Sequence, residues 1–358
     1  MIVRDEAAHI ERCLASCREL IGHWVICDTG SVDDTPARIE RALAGVPGEL
    51  HHHAWVDFAH NRTRMLELAR GRADHLLFLD ADCTLQAAPG ALDDLSADAY
   101  MVRHSGPSEL RRKSVVSGRL EWRYVGVTHE YITGADERTC ERLEGVEIRS
   151  HSVGGAGGRW ERDRELLERE PDDPRSVFYL AQTLRDLGHL HGDPELLARA
   201  QATYERRSTM GGWEEEVYCA LHEAGVLAGW PAGADLLVDA WEHRPQRLEA
   251  VYDLVAALRT AGRHRAAHRF TSLAASLREL PVPADDLHVA TWVYRWGLLF
   301  EYSISAYWVG DLDASLAACD VLLARDDVFP AHREQTVRNR GYALEAKAER
   351  LAATAPRT

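Results

Sequence analysis

The chain has 358 residues, enough for about two domains, and 57 acidic against 42 basic side chains give a formal charge of −15. Such a charge repels nucleic acid and anionic lipid unless a local basic patch overrides it, and the short Arg111-Arg112-Lys113 cluster is better suited to phosphate or acceptor contacts. Hydrophobic residues make up 46% of the chain without an apolar run near the length of a membrane span, and the seven cysteines form no Cys-x-x-Cys pair, which predicts reduced thiols and a cytoplasmic protein.

In chain order, Met1-Ile2-Val3 reads as a short strand. Ile10, Leu14, Cys17 and Ile21 keep helical spacing, and Val25-Ile26-Cys27 reads as a second strand. That strand stops at the turn-rich Asp28-Thr29-Gly30-Ser31-Val32-Asp33-Asp34-Thr35-Pro36, with Pro36 in the first turn of a helix. His51-His52-His53 reads as a surface strand, because neighbours on a strand point to opposite faces and make a poor metal cage. The apolar run His75-Leu76-Leu77-Phe78 leads into Leu79-Asp80-Ala81-Asp82. On an extended segment Asp80 and Asp82 would share one side, with Ala81 turned away. Hard oxygen ligands of this kind suit magnesium or manganese, which bind one or two carboxylates plus substrate phosphates. The alternation of strand and helix predicts a parallel, doubly wound sheet with ligands beyond the carboxyl ends of its strands.

Val3-Arg4-Asp5-Glu6, the Asp28 to Thr35 stretch, Trp55-Val56-Asp57-Phe58-Ala59-His60-Asn61-Arg62 and Leu79-Asp80-Ala81-Asp82 follow one another as in family 2 glycosyltransferases of GT-A fold. The closer resemblance is to the bacterial subgroup with tetratricopeptide-like helices behind the catalytic domain, to which the glycocin peptide S-glycosyltransferases are related. The first strand begins so near Met1 that residues usual in the family are expected ahead of it. The resemblance implies that Asp28 recognises the nucleotide base, beside a wall formed by Val3, Asp5 and Glu6. It places Asp80, with Ala81 between the two acids, at the ribose and metal region. It makes Asp82 the direct metal ligand. Arg62 would steady the aspartates or a phosphate. Thr63-Arg64 follows Arg62 in place of the commoner Asn, which leaves the role of Asn61 open.

Arg111-Arg112 and Trp122-Arg123-Tyr124-Val125-Gly126-Val127-Thr128-His129-Glu130 resemble the subgroup's basic pair and its Gly-x-x-His-Glu segment. Glu130 is the candidate general base, since an inverting transfer needs a carboxylate opposite the departing diphosphate, a group contributing about 10²–10⁴-fold. Arg112 is expected to aid the leaving diphosphate. His129 is a candidate for phosphate or metal binding, or for supporting Glu130. His151 follows the alternating Val146-Glu147-Ile148-Arg149 strand, and related folds complete the metal site with a late histidine. Gly154-Gly155-Ala156-Gly157-Gly158 looks like a flexible connection able to close over the donor.

Beyond about residue 160 the pattern is helical only. Leu187-Gly188, Ala228-Gly229, Ala261-Gly262 and Val309-Gly310 look like equivalent helix ends, and Pro174 and Pro245 precede helices. This predicts a degenerate tetratricopeptide-like array. The expected division is a catalytic domain over 1–158 and a helical repeat domain over 159–358. Trp213, Trp230, Trp241, Trp292, Tyr294, Trp296 and Trp308 could line its groove, although aromatic residues at helical spacing are usually core. The expected activity is an inverting, metal-dependent transfer of a sugar from a nucleoside diphosphate, with uridine diphosphate preferred, to a peptide Ser, Thr or Cys. A cell-envelope glycan acceptor and a non-catalytic, partner-binding or homodimeric scaffold are the alternatives. A sugar nucleotidyltransferase ranks last, because Arg4-Asp5-Glu6-Ala7 stands where its Gly-rich loop belongs.

Overall fold

A computed structural model describes residues 1–105, 110–151, 157–276, 280–285 and 287–354. The chain divides into two compact units, Met1–Glu170 and Pro171–Thr358.

In the first unit, β1 (Ile2–Val3), β2 (Trp24–Asp28) and β3 (Gly48–His52) form a parallel sheet in that order. Helix α1 (Ile10–Cys17) buries Ile10, Cys13, Leu14 and Cys17, as its spacing predicts, whereas Ile21 lies beyond its end. Helix α2 (Thr35–Ala42) carries Pro36 in its first turn, where the missing amide proton is not needed. Asp57 caps α3 (Phe58–Ala69) by accepting from His60 N at 2.7 Å.

The continuation departs from the predicted single parallel sheet. Strand β4 (His75–Leu77) pairs antiparallel with β7 (Leu110–Ser117), in a mixed five-stranded sheet of order β4-β7-β6-β10-β5. The other members are β5 (Cys83–Ala87), β6 (Ala99–Ser105) and β10 (Cys140–Ser150). The reason lies in the partners on offer. β1 has two residues, both paired to Cys27 and Asp28 of β2, whereas β7 gives β4 the β-branched, fully buried Val115 and Val116. β8 (Trp122–Val125) and β9 (Tyr131–Gly134) make a separate hairpin. Helix α4 (Gly157–Leu167) belongs to the first unit, where Arg162 lies 5.1 Å over the Phe58 ring. The contacts therefore divide the chain after Glu170 and not after residue 158. Residues 154–156 of the glycine-rich stretch lie outside the described residues, and Gly157 and Gly158 open α4.

The second unit is helical among its described residues. Its helices are α5 (Pro174–His191), α6 (Pro194–Ser208), α7 (Glu214–Ala228), α8 (Ala234–His243), α9 (Glu249–Thr260), α10 (His264–Ser276), α11 (Leu298–Val309), α12 (Leu312–Ala324) and α13 (Pro330–Thr354). Each packs against the next, the nearest-neighbour arrangement of a repeat array. Gly229 and Gly310 end helices and Gly262 follows one, all with positive φ. Gly188 does not: it lies inside α5, whose left-handed cap is Gly192. A Cβ at 188 would stand 2.7 Å from Leu197 Cδ2, so this glycine serves close packing of α5 on α6. Of the seven aromatic residues named above, Tyr294 and Trp296 are core, Trp241 and Trp292 are half-buried, and Trp213, Trp230 and Trp308 are exposed.

Candidate active site

The carboxyl ends of the small sheet bring Val3, Asp28 and His52 side by side in register. The buried Asp28 carboxylate turns back on its own loop: it accepts from Ser31 N at 3.1 Å and Ser31 Oγ at 2.5 Å, and lies 3.2 Å from His52 Nδ1. Asp5 sits at φ 54, a conformation Asp tolerates better than most. Its carboxylate accepts from Val32 N at 2.7 Å and its amide donates to Ser31 Oγ. Glu6 N donates to Thr35 Oγ1 at 2.8 Å. The Val3 to Glu6 segment and the Asp28 to Thr35 segment are thus clasped into one wall. His51 and His53 stack on each other, and His51 Nε2 lies 3.0 Å from Glu49; of the three histidines read as a surface strand only His52 is exposed, and His53 lies beyond the end of β3.

Asp80 and Asp82 are not on a strand. β4 ends at Leu77, and Cys83 N donates to Asp80 O at 2.9 Å, closing a β-turn over residues 80–83. Ala81 is 4% exposed while the Asp80 side chain is 46% exposed, so these two face opposite ways. A turn at a strand's end delivers both carboxylates to the rim that the pleat alone would reach.

Arg62 gathers the site. Its Nη2 donates to Asp80 Oδ1 at 2.8 Å. Its Nε lies 2.7 Å from Glu130 Oε1, a close ion pair whose N–H is not aligned for a hydrogen bond. The guanidinium also lies 5.5 Å over the Tyr124 ring. Neighbours in sequence fix its position. Thr63 Oγ1 accepts from Tyr124 N at 2.9 Å, tying α3 to β8. Asn61, 1% exposed, accepts from Val56 N and donates to Ala54 O. Its role, open from the sequence, is to hold the loop that enters α3. Trp55 packs edge-on against Phe58 at 4.8 Å.

These contacts set the titration of the carboxyls. Arg62 holds Asp80 below the usual carboxylate range. Burial pushes Glu130 up, with Arg62 pulling the other way. Burial raises Glu6 as well, and the neighbouring Asp82 adds to that rise. That proximity brings the Glu6 loop to the Asp80/Asp82 turn. Asp28, by contrast, shares no hydrogen bond with this group among the described residues.

Glu130 stands at the end of a turn that only special backbone allows. Gly126 has φ 104 and His129 φ 51, and Gly134 packs so closely on Trp122 that a Cβ would meet its ring at 2.8 Å. His129 is exposed on this turn. Arg112, exposed on β7, forms no ion pair among the described residues, yet lies near enough to Asp80 and Glu130 to lower both. Beside it His104 Nε2 lies 2.7 Å from Ser114 Oγ, and burial and Arg112 bring its pKa down to about 4.

The ladder between β10 and β5 brings His151 to the second aspartate, where His151 N donates to Asp82 O at 3.0 Å. The ring itself turns to Thr84, with Nε2 2.8 Å from Oγ1. Cys83 Sγ lies 3.3 Å from Asp82 Oδ1, and burial raises that thiol to about 12. Among the described residues no three His, Cys, Asp or Glu side chains converge as a metal cage. Tyr124, Thr63, His104 with Ser114, and Thr84 are site neighbours to which the sequence reading gave no role. Tyr124 lay inside a quoted motif and Thr63 stood beside one, whereas His104, Ser114 and Thr84 carry no signal until strands pair. A cavity of about 920 Å³ lies elsewhere, walled by Trp24, His75, Leu95 and Ser117, and includes none of the predicted site residues.

No family model matches the chain. A TPR repeat-containing protein of Synechococcus elongatus is 43% identical over 83 residues, 23% of this chain and 19% of that relative. The chain spans about a fifth of it. This similarity agrees with the helical repeats of the second unit. Among solved structures, the chain is similar to YrrB, a TPR protein with an unusual peptide-binding site, at 17% identity and a TM-score of 0.38 over 53% of this chain and 86% of that one. It is also similar to S. aureus TarS 1-349 in complex with UDP-GlcNAc, at 12% identity and a TM-score of 0.37 over 69% and 91%. Likenesses this distant carry no argument about activity. Among the described residues no helix is long and apolar enough to cross a membrane.

Proposed function

We propose that the chain is a glycosyltransferase that moves a sugar from a nucleoside diphosphate to a nucleophilic acceptor with inversion, using the rim of the first unit. The observation that carries this reading is Arg62, which joins Asp80 of the donor-side turn to Glu130 of the acceptor-side hairpin within one side chain's reach. Glu130 takes the proton of the incoming hydroxyl or thiol. The acceptor atom bonds to the anomeric carbon as the sugar–diphosphate bond breaks on the opposite face, and the exposed Arg112 guanidinium meets the charge of the leaving group. A carboxyl raised by burial is a better base than an ordinary glutamate once ionised.

The residues fit a divalent cation shared with a diphosphate, not one caged by protein alone. Asp82, whose carboxylate has the Cys83 thiol beside it, is the ligand of choice, with His151 and His129 as further candidates. Magnesium and manganese accept one carboxylate plus phosphate oxygens. Such a cation would supply charge neutralisation at the diphosphate. A peptide Ser, Thr or Cys is the preferred acceptor, and a cell-envelope glycan is the next. A partner-binding scaffold is the second reading, favoured by the exposed Trp213, Trp230 and Trp308 of the helical unit.

Calorimetric titration with uridine and guanosine diphosphates, with and without manganese, tests the proposal. Metal-dependent binding lost in Asp82→Ala is expected. Absence of binding by either nucleotide would leave the scaffold reading.

A further inference from the structure

The second unit holds a cavity of about 250 Å³ that has no part in the reaction proposed above. Four helices contribute to its wall: α5 through Gln182 and Arg185, α6 through Tyr204, α7 through His222 and Glu223, and α9 through Tyr252 and Asp253, while Trp292 adds a further ring. We infer that this cavity binds a guanidinium or ammonium group.

The wall's own cations are already matched. Arg185 pairs with Glu223 and Asp186, each at 2.8 Å. Arg247 pairs with Glu249 and Asp285 and donates to the carbonyls of Leu287 and His288. Neither offers a free donor set to an anion. Acceptors, however, are left over. Gln182 Oε1 is buried and has no hydrogen-bond partner among the described residues, which is costly unless a donor arrives. Glu223 meets Arg185 through Oε2, and Asp253 meets His222 through Oδ2 at 2.6 Å, so each keeps a second oxygen. Tyr252 and Trp292 stand edge to face at 4.9 Å, and aromatic faces attract cations.

Size narrows the ligand. The volume lies below the roughly 300–1,000 Å³ of sites for drug-sized molecules and far above the ~30 Å³ of one water. A single basic side chain or a small amine matches it. A ligand with several N–H donors on a positive head can serve Gln182, Glu223 and Asp253 together, which a neutral isostere does only without the charge.

The test uses the full chain and is independent of the glycosyl-transfer reading. Arginine amide, an acetylated and amidated Gly-Arg-Gly peptide, and citrulline amide as the neutral isostere are each titrated by calorimetry and tryptophan fluorescence. Both arginine compounds are expected to bind, citrulline amide about tenfold more weakly or worse, and Glu223→Gln and Asp253→Asn each to weaken arginine about tenfold. Tighter binding of the peptide would assign the site to a side chain presented by a polypeptide, and tighter binding of arginine amide to a free amine. Asp253 is 37% exposed, so its variant keeps the fold even where Glu223→Gln does not. Citrulline binding as well as arginine, no binding of either arginine compound, or full affinity in folded Asp253→Asn would overturn the inference. Diphosphate binding by the first unit, measured alongside, is expected to be unchanged in both variants.

Discussion

Arg62 and Glu130 are each 13% exposed, and that burial makes their pairing consequential in both directions. Glu130→Gln keeps the shape and removes the base, so transfer should fall by about 10²–10⁴-fold while diphosphate binding and the melting temperature stay near those of the parent; an assay of nucleotide release checks both. Arg62→Met leaves two carboxylates without their shared cation. Breaking a fully buried pair costs about 3–5 kcal/mol, and the partial exposure of Asp80 brings the expected loss to about 2–3 kcal/mol in urea denaturation at neutral pH. Because Arg62 lowers Asp80, the stabilisation it gives is present above the ordinary carboxyl range and is lost as pH falls through the lowered value, so the gap between variant and parent should narrow in acid. Because Arg62 also opposes the rise of Glu130, its removal should move the acid limb of the kcat/KM profile to higher pH. An unmoved limb would take Glu130 out of the base role. The residues of this network stood in the sequence as quoted motifs, and the resemblance led Arg62 to be expected beside the aspartates, but its reach to Glu130 was not: Arg62, Asp80 and Glu130 are separated by 18 and 50 residues, and nothing in local pattern says that one guanidinium spans both.

At the scale of elements, periodicity read correctly where a single face decides the outcome and failed where two glycines competed. The buried stripe of α1 and the Pro36 start of α2 follow from spacing and from proline's fixed φ. The Asp80 to Cys83 turn was read as extended, since an apolar run before an Asp-x-Asp carries no mark of the hydrogen bond that folds it. Gly188 and Gly192 look alike in sequence, and the left-handed cap fell to the second because the first lies under Leu197. Gly188→Ala makes this measurable. Alanine gains roughly 0.8–1.0 kcal/mol of helix propensity, whereas overpacking costs typically about 1–3 kcal/mol. Leu197 N would stand 3.1 Å from the new Cβ as well, and a backbone atom yields less readily than a side chain. The variant should therefore lose about 1 kcal/mol in chemical denaturation; a gain would mean that α6 shifts freely.

For the whole molecule, a chain of two compact units predicts separable behaviour. A protein ending at Glu170 should retain metal-dependent diphosphate binding and lose transfer to a peptide, compared by calorimetry and by product mass; full transfer by the shortened chain would remove the helical unit from acceptor handling. The sequence by itself determined that an α/β unit precedes a helical one, because runs of strand and helix give way to helices alone and that order needs no knowledge of contacts. It also placed acids at the ends of strands, since apolar runs and turn-formers are local signals. Tertiary structure alone decided that β4 joins β7 in a mixed sheet, that α4 stays with the first unit, and that Arg62 bridges Asp80 and Glu130. Each of these is a choice between partners distant in the chain, settled by which surfaces bury and which charges are matched, and local sequence holds no record of a rejected partner.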